Sequence, residues 1–156
     1  MTSKAEFNAD EWSTIVEGPL YAAIRVIGAE RGGTFRESLA LGRVYQQARE
    51  HHGDSELLDE LLKSPPAVEP DHLREAQGNP QSAVSDHLRA AMSVIEAKAT
   101  PAEADSYKQF VMTVAQHVAS AHKSGGFLGI GGKEVSDAEN RALDEISVAL
   151  GAPPAA

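Results

Sequence analysis

The chain has 156 residues, 42% hydrophobic and 24% charged, with a formal net charge of −9 and no cysteine. That is one ordinary domain with enough chain to bury a core, and its acidic balance argues against nucleic acid, which needs a concentrated basic face. The lack of cysteine removes disulfides, thiol catalysis and cysteine-based zinc sites and fits the cytoplasm; the polar start MTSKAEFNADEW is no secretory leader, and no apolar run approaches the roughly 18–20 residues of a membrane span.

Residues 1–8 read as a disordered tip, with Asn8 or Asp10 capping a first helix that runs to about Ala29. Trp12, Ile15, Val16, Leu20, Ala23 and Ile27 follow the spacing of one buried helical stripe. Pro19 falls inside this pattern and predicts a kink or a division of the helix, because it removes a backbone donor. After Arg31-Gly32-Gly33, Thr34 and Glu37 form a capping box for a helix to about His51 that buries Phe35, Leu39, Val44, Tyr45 and Ala48. A short helix, Ser55 to Lys63, carries four leucines and is stopped by Ser64-Pro65-Pro66. Residues 64–79 are the best internal boundary and hold one short helix, Asp71 to Gln77.

Asn79-Pro80 predicts a cap with proline at the first helical position. The helix to about Ala99 places Val84, Leu88, Ala91, Met92 and Ile95 on one side. Thr100 and Glu103 form a second capping box, and Pro101 to about Lys123 carries the stripe Tyr107, Phe110, Val111, Val114, Val118 and Ala121. Ser136 and Glu139 form a third box, for a helix that buries Ala142, Leu143, Ile146 and Leu150 and ends at Gly151. No stretch holds a strand period for more than a few residues. The fold predicted is all-α: one bundle of six or seven helices over residues 9–151, with a tail at 152–156. The tetrapeptide Asp-His-Leu-Arg occurs twice, at 71–74 and 86–89, too few copies for a solenoid.

The candidate chemistry is sparse. Six histidines are present, but His117 and His122 are five apart, His51 and His52 are adjacent, and no HExxH occurs. Helical metal pairs need spacings of three or four, so no metal is assigned. No GxSxG accompanies the serines. Asp59-Glu60 and Asp144-Glu145 point to different helix sides and read as solvated. No catalytic residue is assigned, and an enzyme is disfavoured. The stretch SGGFLGIGGKEVSDAEN, 124–140, has glycines, a lysine and a serine but lacks the spacing of a phosphate loop and the oxygen ligands of a calcium loop.

Residues 110–151, from FVMTVAQHVASAHK through Val135, Ser136, Asp137, Glu139, Leu143, Ile146, Leu150 and Gly151, resemble a TerB-type segment of the tellurium-resistance-related proteins. The resemblance implies an all-helical fold, a cation-binding acidic site and a role in stress-related or membrane-associated complexes. The family pattern often has Asp-Gly before the last helix, where this chain reads Gly131-Gly132-Lys133, so the metal site is not carried over and no cofactor is assigned.

Two functions follow. In the first, a non-enzymatic helical adaptor uses Phe127, Leu128 and Ile130 of the loop 124–132 to contact a protein partner, a second copy or a membrane surface. Fully burying each such side chain is worth roughly 1.5–3 kcal/mol; covering the protein's own core is the competing use of the same residues. In the second, a small-molecule- or cation-binding bundle lines a pocket with His117, His87 and Tyr107.

Overall fold

A computed structural model describes residues 2–29, 34–50, 55–63, 70–123 and 137–151, without the side chains of residues 28, 29, 34–41, 70, 73, 77 and 121–123. The described residues form a 3-10 turn, Lys4–Glu6, and seven α-helices with no strand, as the helical periodicity predicts. The helices are α1 (Ala9–Ala29), α2 (Thr34–Glu50), α3 (Glu56–Lys63), α4 (Pro70–Gly78), α5 (Pro80–Lys98), α6 (Pro101–Lys123) and α7 (Asp137–Ala149).

Their ends follow from local chemistry. Asn8 caps α1 reciprocally: its Oδ1 accepts from the Glu11 N–H at 2.8 Å while Glu11 Oε2 accepts from the Asn8 N–H at 2.9 Å. Thr100 and Glu103 do the same for α6, with the Glu103 N–H donating to Thr100 Oγ1 at 3.2 Å and the Thr100 N–H to Glu103 Oε2 at 3.1 Å. Ser55 caps α3 from outside, accepting from the Leu58 N–H at 3.4 Å. Pro80 opens α5 at its first turn, but the Asn79 side chain makes no cap bond. Gly151 ends α7 at φ +74°, a left-handed conformation that glycine adopts without a Cβ penalty. The side chains of Thr34, Glu37 and Ser136 lie outside the described residues; α2 and α7 begin at Thr34 and Asp137.

The helix α1 is the axis of the bundle. It packs most extensively on α5 and α6 and also meets α7, α4 and α2. Every residue from Glu17 to Ala23 is therefore buried, including Tyr21 and Ala22, and the single stripe expected for α1 is too narrow. The faces of α5 and α6 match their stripes: Val84, Leu88, Ile95, Tyr107, Val111, Val114 and Val118 are each at most 2% exposed. This continuous apolar interior is the dominant favourable contribution to folding, at about 25 cal/mol per Å² removed from water. The segment α4 packs on α1 and α5 and so belongs to the same body.

The N-terminal tip is not a loose end, contrary to its polar composition. Thr2 is 3% exposed and Phe7 8%. The Thr2 N–H and hydroxyl donate to the Glu103 carboxylate at 2.8 and 2.6 Å. Lys98 Nζ donates to the Glu6 carbonyl at 3.0 Å and to Glu11 Oε2 at 2.6 Å, and lies 5.7 Å from the centroid of the Phe7 ring. One carboxylate thus caps α6 and straps down the N-terminus. Burial raises the proton affinity of Glu103, but donors from Thr2 and Thr100 outweigh it and hold the carboxyl below the ordinary range.

Candidate functional site

Pro19 sets up the polar interior of the bundle. It has no N–H, so the Ile15 carbonyl four residues earlier loses its helical donor. The helix α1 nevertheless runs unbroken through Pro19. The missing donor comes from another helix: the Tyr107 hydroxyl on α6 donates to the Ile15 carbonyl at 2.8 Å, with both residues fully buried. Gly18 makes room for it, since a Cβ there would lie 2.0 Å from the Tyr107 oxygen. Burial pushes the Tyr107 phenol well above the ordinary tyrosine range, so it remains a neutral donor.

One turn away, three helices bring titratable groups together. Glu17 on α1 is buried, with a side chain 3% exposed. Ser13 donates to its Oε1 at 3.0 Å, and His72 Nδ1 on α4 lies 2.9 Å from Oε2. His87 on α5 stacks on Tyr21, with ring centroids 3.9 Å apart and planes 12° from parallel. Its Nε2 lies 2.8 Å from the Thr14 carbonyl; a carbonyl can only accept, so Nε2 carries the proton. Burial lowers the proton affinity of His87 against the opposing Thr14 bond and Glu17 charge. Burial first, then the charges of Glu17 and Glu75, push the Tyr21 phenol up to about 12. These contacts tie α4 and α5 to α1. Among the described residues no group of three or more His, Asp or Glu is placed to hold a metal.

The three residues expected to line a pocket therefore part company. His87 and Tyr107 reach α1 at adjacent carbonyls, Thr14 and Ile15, whereas His117 is exposed and turns back to the Thr113 carbonyl of its own helix at 2.9 Å. Tyr107 is too deeply buried to meet a ligand directly. Phe127, Leu128 and Ile130 lie outside the described residues. Glu17, His72 and Tyr21 were not singled out by sequence reasoning. The available signal was the doubled Asp-His-Leu-Arg: its two histidines, His72 and His87, both face α1 at this centre, and each copy carries an exposed Asp–Arg pair, at 3.6 and 3.9 Å.

A separate opening lies at the N-terminal end of α1. This cleft of about 680 Å³ is lined by Ser3, Lys4, Ala5, Phe7, Asn8, Ala9, Trp12 and Glu60. Phe7 and Trp12 pack with ring centroids 5.8 Å apart, and Lys4 Nζ lies 5.7 Å from the Trp12 ring centroid. Trp12 is only 7% exposed, and its indole N–H, shut off from water, has no hydrogen-bond partner. The Tyr45 hydroxyl is also buried without a partner, on a ring packed edge-on to Phe110. Glu60 at the cleft is tied to Lys63 of its own helix at 2.5 Å. No described helix is long and apolar enough to cross a membrane.

No protein-family model matches the chain, and neither curated proteins nor solved structures give a significant match.

Proposed function

We propose that the protein is a non-enzymatic helical binding protein of the cytoplasm and that the cleft at the start of α1 is its contact surface. The observation that carries this reading is the cleft itself, about 680 Å³, with the Phe7 and Trp12 rings packed 5.8 Å apart in its lining. The titratable centre supports the same reading. Glu17, His72, His87 and Tyr107 all direct polar atoms to neighbouring helices, which makes them struts of the bundle. The loop 124–132, with Phe127, Leu128 and Ile130, is proposed as a second contact, for a protein partner or a second copy, and the TerB resemblance supports a stress-related setting.

The chain has one tryptophan, so one indole N–H resonance reports on the cleft by NMR. A fragment that binds is expected to shift that resonance together with the amides of Ser3, Lys4, Asn8, Ala9 and Glu60. Fragments that bind but leave the indole in place, and instead shift residues around His72 and His87, would overturn the assignment of the surface.

A further inference from the structure

The N-terminal segment rests on the bundle through two buried residues, Thr2 and Phe7, while Lys4, Ala5 and Glu6 between them are exposed. Its polar ties reach far along the chain. Thr2 donates to the Glu103 carboxylate through its N–H at 2.8 Å and its hydroxyl at 2.6 Å, and Lys98 Nζ donates to the Glu6 carbonyl at 3.0 Å. Phe7 packs on Trp12, with ring centroids 5.8 Å apart. Glu103 and Lys98 each have a second partner outside the segment. Glu103 also accepts from the Thr100 N–H and hydroxyl, at 3.1 and 3.2 Å, and Lys98 also donates to Glu11 at 2.6 Å. Asn8 and Glu11 cap α1 reciprocally just beyond Phe7. Lifting residues 2–7 therefore strands neither Glu103 nor Lys98 and uncaps neither α1 nor α6.

Trp12 favours the lifted state in one respect. Its indole N–H is buried without a partner while the segment is seated, a cost that water removes on exposure. Lys4 Nζ lies 5.7 Å from the same ring, so Phe7 and Lys4 of the segment both lie against Trp12. We infer that residues 2–7 are a strap that opens and closes as one unit about the Asn8 cap and brings Trp12 to water each time it opens. Ser3, Lys4, Ala5 and Phe7 also line the cleft, so the contact surface is complete only while the strap is closed. That consequence, unlike the opening itself, rests on the cleft reading above.

Native-state hydrogen exchange of the intact protein, followed by NMR, tests the inference. The Thr2 and Phe7 amides report on the two buried points of the strap, and the indole N–H of the one tryptophan reports on its cover. Their protection factors are expected to agree within about threefold and to fall at least about tenfold below those of Leu88 and Val111, which are 0% exposed on α5 and α6. Thr2→Val keeps the branched shape and removes only the hydroxyl that donates to Glu103. It should lower the three strap values together by about tenfold, the order expected for one hydrogen bond to a charged group, and leave Leu88 and Val111 unchanged. An indole N–H as protected as Leu88 and Val111 would overturn the inference, because Trp12 would then meet water only on global unfolding. So would an indole unmoved by Thr2→Val while the Thr2 amide speeds up, because the end would then fray without baring Trp12. No ligand enters the measurement, so a cleft that binds nothing would overturn the cleft reading and leave the strap standing.

Discussion

Replacing Tyr107 by phenylalanine tests the link between Pro19 and the polar interior. The hydroxyl donates at 2.8 Å to the Ile15 carbonyl, both residues are 0% exposed, and Pro19 has no N–H to offer instead. Deleting the hydroxyl leaves that carbonyl buried and unpaired, a loss of roughly 1–3 kcal/mol. For a domain of this size that is a fall in Tm of about 2–12 °C. Urea unfolding followed by helical circular dichroism gives the free energy directly. The decisive measurement repeats the substitution in a Pro19→Ala background, where residue 19 supplies an N–H to the same carbonyl. The cost of Tyr107→Phe should then drop by about 1 kcal/mol or more, a coupling read from the double-mutant cycle. An unchanged cost would refute the idea that the hydroxyl serves the carbonyl orphaned by the proline. Gly18→Ala gives a further check. Alanine favours a helix by about 1 kcal/mol, yet its Cβ would lie 2.0 Å from the Tyr107 oxygen. The substitution should destabilise the parent and be better tolerated when combined with Tyr107→Phe.

Two other outcomes are expected. His87 is held below its ordinary proton affinity by burial, so the unfolded chain binds its proton more readily than the folded one. Stability should be fully present above about pH 6.5 and decline as pH falls through the interval down to the lowered native value; His87→Gln should flatten that decline in urea midpoints measured from pH 7.5 to 5. Glu103→Ala removes both the α6 cap and the acceptor for Thr2. It should cost about 1–3 kcal/mol and speed hydrogen exchange at residues 3–7 more than elsewhere, whereas uniform acceleration would argue against a local strap.

Most of the fold is legible in the sequence because its signals are local. The stripes of α5 and α6, the box at Thr100 and Glu103, Pro80 at a first turn and Gly151 at a left-handed end each depend on residues a few positions apart, and backbone geometry fixes what such neighbours do. The candidate site was only partly legible. His87 and Tyr107 stand out as polar groups beside apolar stripes, but their acceptors, Thr14 and Ile15, are 73 and 92 residues away. Glu17 looks like an ordinary helix-surface acid until its partner His72 arrives from 55 residues further on. The N-terminal tip reads as disordered because its anchors, Lys98 and Glu103, are equally remote.

Two histidines show where local information stops. Val84, His87, Leu88 and Ala91 have the same spacing as Val114, His117, Val118 and Ala121, so periodicity assigns both imidazoles the same place at the edge of an apolar face. His87 is half-buried against Tyr21 and α1, and His117 is exposed. The sequence by itself determined the helices, the ends built at Thr100, Pro80 and Gly151, and the faces that α5 and α6 bury, because those depend on neighbours along the chain. Which edge of a face meets another helix depends on how whole helices cross, and only the tertiary structure decided that. It also turned Pro19 from a predicted break into the point where Tyr107 joins α6 to α1.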